Sequence, residues 1–130
     1  MVQIDIISNL MSAIRNAESV RKKEVVIYPS SKFAIEVLKV MKREGYIDDF
    51  QIVEDGRGNK IRVLLNGYIN DCKAIKPRFP VNKRNLPQYI KQFLPSRDIG
   101  ILIISTSKGV KTHKECLEEG IGGVLVAYVY

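Results

Sequence analysis

The residues best placed to do chemistry lie in one run, Ser105-Thr106-Ser107-Lys108-Gly109-Val110-Lys111-Thr112. Ser105 and Lys108 reproduce the S-x-x-K spacing of acyl-enzyme hydrolases, in which a serine opening a helix attacks a carbonyl. The S-D-N and K-T-G partners of that chemistry are absent, and Lys111-Thr112-His113 does not supply one. His113, the only histidine, is expected at the surface beside Lys111 and Lys114, and no His/Cys/carboxylate cluster has metal-ligand spacing. Gly120-Ile121-Gly122-Gly123 follows a helical pattern and enters a strand pattern, the reverse of the order a dinucleotide site requires. Asp48-Asp49 and Glu54-Asp55 are neighbours in extended chain, which sends paired carboxylates to opposite faces. Cys72 and Cys116, 44 positions apart, read as buried free thiols. No metal, cofactor or small-molecule substrate is expected.

The same run suits RNA. Small hydroxyls reach bases and ribose 2′-OH groups without steric cost, Lys108 and Lys111 neutralise phosphate, and Gly109, Gly122 and Gly123 let a backbone lie close to a ligand. Plain turn chemistry explains the same composition equally well, since Ser, Thr and Gly dominate turns.

The elements that must position this run are legible as periodicities. Ile4, Ile7, Leu10, Met11 and Ile14 recur at helical steps and fade near Asn16-Ala17. Glu24 to Tyr28 is a short β-rich run stopped by Pro29, after which Ser30 or Ser31 caps a second helix through Ala34, Val37, Leu38 and Met41 to Glu44, with Gly45 as a left-handed cap. Tyr46 to Glu54 and Lys60 to Leu65 read as a hairpin about residues 55–59. Gly67 to Arg97 is broken by Pro77, Pro80, Pro87 and Pro95, leaving short strands and a helical turn over Leu86 to Phe93. Ile99 to Ile104 is a buried-type strand followed by a loop, Ser105 to Gly109. Thr112 with Glu115 opens a short helix through a capping box, Gly120 ends it, and Val124 to Tyr130 is a final strand. The fold class is therefore α+β, with an α-β-α-β-β unit over residues 1–66 and a β-rich unit over 67–130.

Composition agrees with a folded chain that carries a basic excess. Of 130 residues, 45% are hydrophobic and 27% charged, outside the range of disordered chains, and about two-thirds of the unfolded surface can be buried at this length. The longest apolar runs are far short of a membrane span, and the first residues carry no export signal, so a cytoplasmic location is expected. The net charge is +7, of which residues 67–130 carry +5. Lys73, Lys76, Arg78, Lys83, Arg84, Lys91 and Arg97 meet no acidic residue between Cys72 and Arg97, and Arg21-Lys22-Lys23 forms a smaller cluster. Such an excess serves solubility or binds polyanions.

The hydroxyl run, followed by Gly120-Ile121-Gly122-Gly123 and a terminal strand with Tyr128-Val129, resembles the small-ribosomal-subunit protein eight family. Ile14-Arg15-Asn16, Pro29-Ser30-Ser31-Lys32, Glu44-Gly45-Tyr46-Ile47 with Asp49-Phe50, and Pro77-Arg78-Phe79-Pro80-Val81 extend the resemblance over nearly the whole chain. Phe93-Leu94-Pro95-Ser96-Arg97 is similar to the archaeal and eukaryotic branch, and the short basic chain leans archaeal. The resemblance implies two domains and a structural role in the small ribosomal subunit, with binding to the central domain of its RNA early in assembly. It implies contacts of Ser105, Thr106 and Ser107 with bases and sugars, of Lys108 and Lys111 with phosphates, and a backbone shaped by Gly122 and Gly123. Arg15, Asn16, Ser31 and Lys32 would touch a neighbouring part of the RNA, although Ser31 also suits a helix cap. Neighbouring ribosomal proteins, notably small-subunit protein five, are the implied protein partners. Many bacterial members carry an acidic residue after the glycine pair, where Val124 stands here, so that contact does not transfer. Two other readings compete, a free-standing nucleic-acid-binding regulator and a small hydrolase using Ser105 or Ser107.

Overall fold

A computed structural model describes residues 6–28, 31–54, 56, 59–76 and 78–130. The chain divides into two compact units, Met1–Asn70 and Asp71–Tyr130, and is α+β throughout.

In the first unit, α1 (Ile6–Ser19) and α2 (Lys32–Arg43) accompany a three-stranded antiparallel sheet of β1 (Glu24–Ile27), β2 (Ile47–Val53) and β3 (Lys60–Leu65), in the order β1-β3-β2. Each helix buries one stripe at the 3.6-residue period: Ile7, Leu10, Met11, Ile14 and Ala17 on α1, and Ala34, Val37, Leu38 and Met41 on α2. Ile61, Val63 and Leu65 alternate inward on β3, as a half-buried strand requires. The helix α2 begins at Ser31, whose side chain accepts from Ala34 N–H at 3.0 Å, and is followed by Gly45 at φ +83°. The expected hairpin is present; Asp55, Arg57 and Gly58 of its turn lie outside the described residues, as do Ile4, Pro29, Ser30 and Pro77.

The second unit is a five-stranded antiparallel sheet of β4 (Cys72–Ala74), β5 (Pro80–Val81), β6 (Ile101–Thr106), β7 (Gly109–Thr112) and β8 (Gly123–Val129), with α3 (Leu86–Phe93) and α4 (His113–Glu119). The order is β4-β8-β6-β7, and β5 also pairs with β8, so β4 and β5 share one edge of that strand in tandem. A core of Ile75, Leu86, Ile90, Leu102, Ile104, Cys116 and Leu125 joins both helices to the sheet. The expected capping box forms at Thr112 and Glu115, and Gly120 at φ +66° ends α4.

Two expectations shift. The strand placed at Ile99–Ile104 starts at Ile101 and runs on to Thr106, because Gly100 at φ +93° breaks extended backbone before it. The stretch Ser105 to Gly109, expected as a loop, is instead the closed end of a β-hairpin, with β7 an additional strand. Thr106 pairs with Gly109 across a two-residue turn, Ser107-Lys108. Among the described residues no helix is long and apolar enough to cross a membrane.

Candidate RNA-binding surface

The β6–β7 turn is built by Thr106. Its hydroxyl donates to the Gly109 carbonyl at 2.7 Å and accepts from Lys108 N–H at 3.1 Å, while Gly109 takes φ +107°. That bracing commits the hydroxyl hydrogen of Thr106 to the turn. The Ser105 and Ser107 hydroxyls have no hydrogen-bond partner among the described residues, and Ser107 and Lys108 are exposed at the tip. The hairpin thus presents one fully outward hydroxyl and one ammonium on a rigid two-stranded support.

Gly122 and Gly123 enter β8 beside it, for a reason internal to the fold. A Cβ on Gly123 would lie 2.3 Å from the Ser105 carbonyl oxygen, and one on Gly122 would lie 2.5 Å from that of Val81. The missing side chains let β8 lie close against β6 and against the end of β5. Proximity to a ligand was the sequence-based reason for these glycines; close contact with the protein's own backbone is the structural one.

The segment leaving β5 joins the same end of the sheet. The Asn82 side-chain oxygen accepts from Arg84 N–H at 2.9 Å and Asn85 N–H at 3.1 Å, and the Asn85 side-chain oxygen accepts from Asn82 N–H at 2.7 Å. This braced turn carries Lys83 and Arg84 as exposed cations. Because Val81 pairs with Gly123, and Ser105 with both Val124 and Val110, Lys83, Arg84, Ser107 and Lys108 gather at one end of one sheet. Sequence reasoning noted Lys83 and Arg84 only as part of a diffuse excess, since strand pairing across residues 81–123 leaves no local signal.

Lys111 is paired within its own unit. Its ammonium pairs with Glu119 of α4 at 2.9 Å, its side chain is only 17% exposed, and the contact raises its pKa. His113, expected at the surface, is buried at 2% exposure. Its Nδ1 accepts Leu102 N–H at 3.1 Å, a bond that ties the start of α4 to β6, and burial followed by the Lys114 charge lowers its pKa to about 4.

In the first unit, Arg15 and Asn16 are exposed near the end of α1, and Lys32 is exposed at the start of α2. Ser31 is the α2 cap, half-buried; its oxygen accepts from the helix and its hydroxyl hydrogen can still be donated. The carboxylates of Asp48 and Asp49 do not converge: Asp49 is bound by Lys42 at 3.0 Å and by Phe50 N–H at 2.8 Å, which lower its pKa, beside a bulge in the β2–β3 ladder. Both cysteines are free and buried.

Fold and surface together define a small basic α+β protein whose second unit carries exposed hydroxyl and cationic side chains at one end of its sheet. The sequence profile of the family described as ribosomal protein S8 matches residues 5–130. Proteins named small ribosomal subunit protein uS8 from Desulfurococcus amylolyticus and Aeropyrum pernix are 50% and 49% identical to this chain over 133 aligned residues. The protein of that name from Caldivirga maquilingensis is 51% identical over 130, and in all three the match covers 100% of both chains. The chain belongs to the ribosomal protein S8 family, in a form similar to archaeal members. It is a structural, RNA-binding ribosomal protein and not an enzyme, which removes the hydrolase reading of Ser105 and Ser107.

Proposed function

We propose that the chain is a constituent of the small ribosomal subunit that binds the central domain of its RNA and supports assembly, with the end of the second unit's sheet as the principal contact. The observation that carries this reading is the braced β6–β7 turn, which holds Ser107 and Lys108 exposed beside the glycine-opened edge of β8. Ser105 and Ser107 offer hydroxyls to bases and 2′-OH groups, and Lys108 meets phosphate. Lys83 and Arg84 join Lys108 as phosphate contacts. Thr106 and Gly109 shape the turn, Gly122 and Gly123 permit the close strand approach, and Lys111 reaches phosphate by exchanging Glu119 for it. Arg15, Asn16, Ser31 and Lys32 of the first unit supply a second, smaller contact. Residues 67–130 form the RNA-binding domain and 1–66 the α/β domain. Small-subunit protein five is the proposed protein neighbour.

The test is titration of the purified chain with a central-domain small-subunit RNA fragment, across salt concentrations and against an unrelated duplex of equal length. Tight, selective binding whose affinity falls with salt is the expected result. Equal binding to both RNAs, with the same steep salt dependence, would reduce the chain to a generic basic protein.

A further inference from the structure

The second unit holds a cavity of about 680 Å³ that the RNA reading does not use. Ile90 lines it from α3, Leu94 from the residue that follows that helix, and Leu117 from α4. Ile90 and Leu94 are 9% and 6% exposed, so this floor is aliphatic and already largely withdrawn from water. Around it stand Lys91, Arg97 and Lys114, all exposed, against the single carboxylate of Asp98.

His113 adds a fixed donor. Its Nδ1 is occupied by Leu102 N–H, which places the proton of the neutral ring on Nε2, and the ring lines the cavity while being 2% exposed. Burial keeps the imidazole neutral, with a pKa of about 4, so the donor persists at physiological pH.

The chemistry of an occupant follows from these walls. Cations alone would suit RNA, but among the described residues no Phe, Tyr or Trp ring lines the cavity and the His113 ring is 2% exposed, which leaves a base only the Arg97 guanidinium to stack on. The nearby rings are engaged with one another, Tyr89 stacking on Phe79 and Phe93, and Phe93 on Tyr128. A phosphodiester also offers nothing to cover an aliphatic floor, whereas a peptide supplies apolar side chains, carboxylates and carbonyl acceptors in one segment. We propose that this cavity takes an acidic segment of a neighbouring ribosomal protein, with an apolar side chain on Ile90, Leu94 and Leu117 and a carboxylate among Lys91, Arg97 and Lys114. His113 Nε2–H then donates to a carboxylate or main-chain oxygen of the same segment. The inference rests on the chain's place in the small subunit and not on the hairpin contact.

The test uses small subunits assembled with the full chain carrying a benzophenone amino acid in place of Pro87, which lines the cavity. Irradiation followed by sequencing of the crosslinked product is expected to yield one segment of a ribosomal protein bearing both carboxylates and apolar side chains. Adding Lys114→Glu should lower that yield by about tenfold or more, the scale of losing a desolvated charge partner, while the chain still sediments with the subunits. Placing the same photo-reactive group at Pro95, which also lines the cavity and is exposed, should report the same segment, and replaces the first variant if Pro87 proves necessary for folding. Crosslinks to RNA, crosslinks to a segment without carboxylates, or no crosslink in subunits that contain the labelled chain would each overturn the proposal. A folded chain that stays out of the subunits at both positions would overturn the ribosomal reading itself, and the occupant with it.

Discussion

Ser107 and Gly123 belong to the same end of one sheet, yet the structure gives them separable jobs. Ser107 is exposed and its hydroxyl braces nothing among the described residues, so Ser107→Ala should leave stability unchanged. It should weaken binding to the central-domain RNA fragment by about 1–3 kcal/mol, the cost of an unsatisfied buried partner. Unchanged affinity in a titration would make the hairpin tip ordinary turn structure. Gly123→Ala drives a Cβ to 2.3 Å from the Ser105 carbonyl oxygen and should cost about 1–3 kcal/mol in urea denaturation without any RNA present. Full stability in that variant would mean β8 can shift, and would return the glycine to a role at the ligand. His113 makes a third kind of contribution, one that depends on pH. Its folded pKa of about 4 lies below the ordinary 6.5, so the unfolded chain takes up the proton first as pH falls. This contribution to stability is complete above about pH 6.5, is lost progressively toward pH 4, and amounts to about 3 kcal/mol at most. His113→Asn, whose side-chain oxygen can take the place of Nδ1 as acceptor for Leu102 N–H, should flatten the denaturation midpoint across that window relative to the native chain; parallel curves would show that the imidazole is not the titrating group.

At the scale of elements, Ser31 is where two explanations meet. It caps α2 through Ala34 N–H and is also a proposed RNA contact. Ser31→Ala should lower stability by about 1 kcal/mol through loss of the cap. Ser31→Asp keeps an acceptor and suits the helix dipole, so it should retain stability while weakening RNA binding through repulsion of phosphate. Retained affinity in the Asp variant, measured in the same RNA titration, would confine Ser31 to capping. This element was legible in sequence because all its signals are local: Ser31, the Ala34-Val37-Leu38-Met41 stripe and Gly45. The capping box at Thr112 and Glu115 was legible for the same reason. The strand β7 was not, because Ser107-Lys108 lacks the Asn-Gly or Asp-Gly signature of a two-residue hairpin turn. Its closure depends on a Thr106 hydroxyl that reads in sequence as a free ligand group. His113 was misplaced for a related reason: its lysine neighbours predict solvent, while the Leu102 N–H that holds it belongs to a strand 11 residues away. The candidate site was therefore readable where residues are contiguous and unreadable where pairing assembles it, as with Lys83 and Arg84 beside Gly122.

For the whole molecule, the question is whether the positive excess acts as a general field or at a place. The cations between Cys72 and Arg97 are exposed, yet the sheet distributes them along β8. Lys73 pairs with Tyr128, whereas Lys83 leaves the strand in which Val81 pairs with Gly123. Five residues of extended chain separate those partners by roughly 17 Å at about 3.4 Å per residue. That exceeds the Debye length of about 8–10 Å near physiological salt, so a phosphate held by Lys83 and Lys108 is largely screened from Lys73. Lys83→Ala should therefore lower affinity for the RNA fragment and reduce the slope of log affinity against log salt by about one, as for one lost phosphate contact. Lys73→Ala should leave both nearly unchanged. Measured side by side over a salt series, this asymmetry would place the RNA at the hairpin end of the sheet. Equal reductions from both variants would show instead that the second unit attracts RNA through its summed charge, and that the gathering of Lys83, Arg84 and Lys108 beside the glycine pair has no part in where the RNA lies.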